Sequence, residues 1–233
     1  MQERYLGDSH DFLKYALLRH LHSALGMRLG INWYLTKPEV VDRPGNNDGE
    51  KRHHLKGGDW RSTDPELFDA IGWFEAPAAR QLTNVGAWGL LPADTTYFAE
   101  EVATTDRSAW HSRALDALSG TDLVFLDPDN GFEVASMSAR TKPKYALFDE
   151  AKAYLDAGKV VVSIQFARQC DPVARAQAVR SRLCGDAEQM PVIRGRVAPN
   201  ILFLTLAPPE LTEALSEALS GFSGKCTKAD LIP

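Results

Sequence analysis

A chain of 233 residues with 44% apolar and 24% charged residues can bury a sizeable core, which excludes a disordered chain and fits a single α/β domain over residues 1–233. A net charge of −5 and a pI of about 5.7 exclude a protein that coats nucleic acid through bulk charge, but not one that meets it through a local basic patch. No apolar run reaches the ~20 residues that span a bilayer, the opening residues lack a signal-peptide core, and Cys170, Cys184 and Cys226 form neither a zinc nor a disulfide pattern, so a cytoplasmic protein with free thiols and no membrane contact is expected.

The first predicted element is a helix. Asp8-Ser9-His10-Asp11 precedes Phe12, Tyr15, Ala16, Leu18, Leu21 and Leu25 at helical spacing. Asp8 or Ser9 can cap it, Asp11 suits the positive end of its dipole, and Gly26 stops it. Leu29–Leu35 is short, aromatic and bounded by turn formers, as a strand would be. Residues 37–61 are polar and too long for a simple connection, which points to a functional loop. Thr63-Asp64-Pro65-Glu66 resembles a helix start with proline in the first turn, and Leu82–Trp88 reads as a strand. A helix over Ser108–Leu118 then leads into the apolar strand Leu123–Asp127. Beyond the turn at 127–131, the pattern predicts a helix over Lys144–Ala157, the strongest strand at Lys159–Phe166 and a helix over Pro172–Leu183. A strand at Asn200–Leu206 and a helix over Glu210–Leu219 close the chain. Strands alternating with helices predict a mainly parallel, doubly wound sheet, with Val124–Leu126 and Val160–Ile164 as adjacent central strands.

Three groups of residues can carry chemistry. Asp127-Pro128-Asp129-Asn130-Gly131 lies just past the carboxyl end of a strand, where α/β sheets hold ligands. Asp127, Asp129 and Asn130 can there hold a metal, a base or a hydroxyl, although the same residue types make plain polar turns. Gly7, Asp8, Asp11 and Lys14 form the second group, with Asp11 and Lys14 on one helix face. Asn46, Asn47 and Asp48 with Lys51 and Arg52 form the third, a turn whose amides and cations suit phosphate or carboxylate as well as they suit open solvent. Ser163, Gln165 and Arg168 end the strongest strand and can project towards Asp127. No Walker loop, HExxH, Gly-x-Ser-x-Gly elbow or GxGxxG after a strand is present.

Taken together, Arg4-Tyr5-Leu6-Gly7-Asp8, Asp11-Phe12, Lys14-Tyr15, Leu17-Leu18-Arg19, Trp33-Tyr34-Leu35, Asn46-Asn47-Asp48-Gly49 and Leu126–Gly131 resemble an uncharacterised family of bacterial proteins. More distantly, the layout is similar to that of the adenine-N6 methyltransferases of large-subunit ribosomal RNA. Those enzymes open with an Asp-x-x-Lys helix, here Asp11 and Lys14. They carry Asp-Pro-Pro-Tyr where this chain has Asp127-Pro128-Asp129-Asn130, and end with an apolar strand, a Pro-Pro pair and a helix, matched by Ile201–Leu206, Pro208-Pro209 and Leu211–Leu219. The resemblance implies a Rossmann-like, methyltransferase-like fold with S-adenosylmethionine as cofactor, met by Gly7, Asp8, Asp11 and Lys14. Asp127 would accept the amino group of a nucleic-acid base or nucleotide, Asn130 would position it, and Phe132 would stack on it. Thr36-Lys37-Pro38-Glu39 stands where those enzymes have a glycine-rich loop. Two alternatives stay open: a phosphodiesterase or nuclease with Mg²⁺ on Asp8, Asp127 and Asp129 and with Lys14 or Lys51 on a phosphate, and a non-catalytic binding module.

Overall fold

The computed structural model describes residues 1–43, 51–56, 59–184 and 190–233. Asn46, Asn47 and Asp48 lie outside the described residues. Helix α1 (Ser9–Leu25) begins where the Asp8 carboxylate accepts hydrogen bonds from the amides of His10 and Asp11, and it ends at Gly26, whose φ of 64° closes the last turn. The segment after the first strand carries the short helices α2 (Pro38–Val41) and α3 (Trp60–Thr63). Helix α4 (Pro65–Ile71) follows, capped by Asp64. Residues 82–87, expected as a strand, form helix α5 (Leu82–Ala87) instead. Leu82 and Val85, three apart, turn to the same core, a spacing that only a helix puts on one face.

Seven strands form one mixed sheet: β1 (Leu29–Asn32), β2 (Thr96–Phe98), β3 (Leu123–Leu126), β4 (Val160–Ala167), β5 (Val192–Gly195), β6 (Asn200–Leu206) and β7 (Ala229–Ile232), in the order β2-β1-β3-β4-β6-β5-β7. β3 and β4 are neighbours near the middle, with Val124 opposite Val161, as expected. The expectation of a mainly parallel sheet holds for only half of it. β2, β1, β3 and β4 are parallel, whereas β6 runs antiparallel to β4 and to β5, and β5 antiparallel to β7. The reason is the link between β5 and β6. Residues 196–199 make a tight return, far short of the dozen or so residues that a parallel crossover needs.

Helices cover both faces. α1, α4, α5 and α9 (Thr212–Lys225) close one core over Ile31, Phe125 and Phe203. α6 (Arg107–Ala117), α7 (Phe148–Asp156) and α8 (Pro172–Cys184) close the other over Val124, Val161 and Leu202. α7 begins four residues later than expected, because Lys142–Lys144 is a separate short 3-10 turn and Tyr145 is extended. The first three turns of α1 are sunk against the sheet, with Ser9 to Leu18 all buried. That burial carries Asp11 and Lys14 to the carboxyl end of β3. Among the described residues, no helix is long and apolar enough to cross a membrane.

Candidate functional site

Asp127 follows the all-apolar strand β3 and its amide donates to Asn32 O at 3.0 Å, so the carboxylate emerges between β1 and β4. Gly131 makes the turn behind it possible. At a φ of 88° a side chain would be strained, and a Cβ would lie 2.6 Å from the Gln165 side-chain oxygen. Gln165 accepts from Phe132 N at 3.0 Å, and the Ser163 hydroxyl donates to Leu126 O at 3.4 Å. Both side chains brace the turn and its strand rather than face the cleft. Phe132 is buried and stacked on Phe148 at 5.0 Å, which corrects the expectation that it offers a stacking face.

Lys14 joins the first and second groups of sequence candidates. Its ammonium lies 3.0 Å from Asp11 Oδ1 and 2.9 Å from Asp127 Oδ1, and all three side chains are almost fully buried. Asp11 Oδ2 accepts from the Gly7 amide at 2.9 Å. Burial pushes the Asp11 carboxyl up to about 6; Lys14 pulls it down, and Asp8 and Asp127 push it further up. Burial acts to lower the Lys14 pKa, but Asp11, Asp127 and Asp8 together raise it above the ordinary lysine range. Lys14 therefore stays charged. One oxygen, Asp127 Oδ2, is buried with no hydrogen-bond partner.

Asp127 lines a cleft of about 400 Å³ with Asp8, Asp11, Lys14, Asp129 and Asn130. Lys51 and Arg168 stand on the same cleft, with Tyr5, Ile164 and Phe166 as its less polar wall. Arg52 instead reaches the backbone, donating to Gly7 O, Leu6 O and Phe74 O. Gly7 acts behind the cleft, through Asp11.

The acids of the cleft are engaged differently. Asp8 accepts from the His10 and Asp11 amides through Oδ1, and its Oδ2 is 3.4 Å from His10 Nδ1. Burial raises its pKa, but His10, Lys14 and the Asp11 amide outweigh it and leave the pKa lowered. Asp129 Oδ1 is 3.1 Å from the Met1 ammonium, and its Oδ2 accepts from Thr36 Oγ1 at 2.8 Å and Gln2 Nε2 at 3.1 Å. Its pKa is lowered as well, since the Met1 ammonium, Lys144 and Thr36 outweigh its burial. The expected Mg²⁺ set of Asp8, Asp127 and Asp129 is thus divided among separate donors. Among the described residues, no three His, Cys, Asp or Glu side chains are arranged to hold a metal ion.

Several cleft residues carried no usable sequence signal. Gln2, Thr36 and Lys144 surround Asp129 and Asp42 from distant segments, with Lys144 Nζ 2.7 Å from Asp42 Oδ1. His10 sits inside the recognised first motif, and its Nε2 meets Pro199 O at 3.0 Å. Its position between Asp8 and Asp11 could have flagged it. Ser9 was legible only as a cap, yet it also ties down the loop segment. Its hydroxyl accepts from His54 N at 3.1 Å and lies 2.9 Å from His54 Nδ1.

No family model matches the chain, and no curated protein matches it. Among solved structures the chain is similar to protein LPL1258 from Legionella pneumophila str. Philadelphia 1, of family-model DUF519. The identity is 12% and the TM-score 0.47, over 97% of this chain and 96% of that one. A likeness of that strength carries no argument about function.

Proposed function

We propose that the chain holds a nucleic-acid base or nucleotide in the cleft around Asp127, on a Rossmann-like fold of the methyltransferase type. One observation carries this reading. Asp127 Oδ2 is a buried acceptor without a partner, beside a cleft, at the carboxyl end of a central parallel strand. A buried carboxylate oxygen left unpaired is costly, and an amino or hydroxyl donor from a ligand would satisfy it. Lys14 fixes the other oxygen, so the free one has a set direction. The strand order supports the fold assignment: β2 leaves β1 on one side and β3 on the other, and ligands of open α/β sheets bind at such a reversal.

S-adenosylmethionine, the cofactor implied by the sequence resemblance, fits these residues poorly. A cofactor loop after β1 would have to present free amides, but Trp33 N donates to Phe98 O, Tyr34 N to Asn32 Oδ1, and Thr36 N to Met1 O. Thr36 is itself buried against Asp129. The cleft lies beside β3 and β4 and takes in no residue of the turn after β1. The geometry supports the base-holding half of that chemistry rather than the cofactor-holding half, so the chain's residues bind and orient a donor group.

Calorimetric titration with AMP, CMP, S-adenosylmethionine, S-adenosylhomocysteine and Mg²⁺ tests this. A nucleotide should bind the wild type and lose at least about tenfold in affinity in Asp127→Ala, the equivalent of one charged hydrogen bond. Equal nucleotide binding by the variant would remove the assignment, and S-adenosylmethionine binding by the wild type would restore methyl transfer.

A further inference from the structure

The edge of the sheet that carries the cleft continues beyond it. β6 runs antiparallel to β4 and β5 antiparallel to β6, so β5 has the direction of β4 and ends on the same edge. β7 begins there, with Ala229 opposite Gly195. Three cations are gathered by this topology: Arg168 after β4, Arg196 after β5 and Lys228 before β7. The Arg196 amide donates to Lys228 O at 2.7 Å. Lys51 joins them from the loop segment, since its carbonyl accepts from Ser9 N at 2.6 Å and its side chain lines the cleft.

Among the described residues, none of these four forms an ion pair. Arg168 lies over the Phe166 ring at 5.2 Å and Lys228 Nζ over Trp60 at 5.8 Å, while the Arg196 guanidinium donates to Thr227 O. Such contacts hold a cation in place and leave its charge uncancelled. Of the acids nearby, Asp230 is taken by Arg194 and Asp171 caps the Ala174 amide. In a chain of net charge −5, this edge is a local reversal of sign.

We infer that the edge is the path of a single nucleic-acid strand, with phosphates over Arg168, Arg196 and Lys228 and one base turned into the cleft. The inference rests on the proposed function of the cleft and adds the surface and the polymer. Neighbouring strands are ~4.8 Å apart, so the three strand intervals from β4 to β7 cover about 15 Å. That is about four phosphates at the ~3.4 Å spacing of stacked nucleotides. A lone phosphate uses one or two cations, whereas cations spread along that length match a polyanion. Phe166 offers a partly open ring at the cleft end, where a base can stack.

The test is fluorescence anisotropy with a labelled single-stranded oligonucleotide of about 12 nucleotides, read between about 50 and 200 mM salt. The wild type is compared with Arg196→Ala/Lys228→Ala, and calorimetry with AMP and CMP on both proteins reports the cleft. The wild type should bind the oligonucleotide more tightly than either mononucleotide. In the double variant, oligonucleotide affinity should fall about tenfold, and the log–log salt slope should shrink by about 1.4, which is ~0.7 for each lost phosphate contact. Mononucleotide binding should not change. Equal affinity and slope in the two proteins would overturn the path, as would wild-type oligonucleotide binding no tighter than mononucleotide binding. In both cases intact mononucleotide binding leaves the cleft reading standing. A poly-glutamate chain that competes as well as the oligonucleotide would overturn the nucleic-acid assignment, and a wild type that binds neither nucleotide nor oligonucleotide would overturn both readings.

Discussion

Replacing Lys14 by Met tests the buried charge cluster on which the site is built. The ammonium lies 3.0 and 2.9 Å from two carboxylates, and none of the three side chains is more than 6% exposed. Without it, Asp11 and Asp127 are left buried, and each must be protonated or remain uncompensated. Protonating a carboxyl costs ~1.4 kcal/mol for each pH unit above its ordinary value near 3.9. That is ~4 kcal/mol per group at pH 7 and ~1.5 kcal/mol at pH 5. Asp11, at about 6 in the intact protein, already bears much of its share, so Asp127 dominates the new cost. The variant should be less stable by about 3–5 kcal/mol at pH 7, the range for a broken buried pair, and by about half of that at pH 5. The sign follows from linkage. Raised carboxyl pKa values give stability that is complete below the unfolded value and lost as pH rises through the folded one. Urea unfolding followed by tryptophan fluorescence at both pH values measures the difference. Adding Asp127→Asn should recover part of the loss and flatten its pH dependence. A deficit below about 1 kcal/mol at pH 7, or one that does not change with pH, would refute the reasoning.

Three further outcomes are expected. His54 is buried between Phe12, Trp60 and Phe68, and burial, then Arg52, depress its pKa to about 4, against a smaller upward pull from Asp8. Its stabilising contribution should be complete above pH 6.5 and fall by at most about 3 kcal/mol as pH drops towards 4; a His54→Phe variant with an unchanged acid-unfolding profile would disprove this. Gly131→Ala forces a side chain into positive φ against Gln165 and should cost about 1–3 kcal/mol in thermal or urea unfolding, whereas a cost below about 0.5 kcal/mol would mean that the turn is not held by Gln165. Arg107→Leu strips Glu150 of both its 2.6 and 2.9 Å contacts and leaves a buried carboxylate beside Tyr34; a loss of about 3 kcal/mol is expected by chemical denaturation, and a neutral effect would argue against a charged Glu150.

The sequence alone determined the elements whose signals are local. The α1 boundaries follow from Asp8 and Gly26, because a cap and a left-handed stop act within one turn of the chain. β3 and β4 announce themselves by unbroken apolar runs, and the strand-end position of Asp127 follows from the first of them. Weak or non-local signals misled. Leu82–Trp88 is short enough for its apolar residues to fit either period, and β5 is a four-residue strand that includes Arg194 and Gly195. Only the tertiary structure decided that β6 runs antiparallel, since strand direction depends on what lies beside it as well as on its own residues. The same holds for the site. Lys14 and Asp127 are separated by over a hundred residues in sequence yet are 2.9 Å apart, and no local rule links a helix face to a distant strand end. The partners that occupy Asp129 and leave Asp127 Oδ2 without one arise in the same way, because hydrogen-bond satisfaction is settled only when distant segments compete for one buried space.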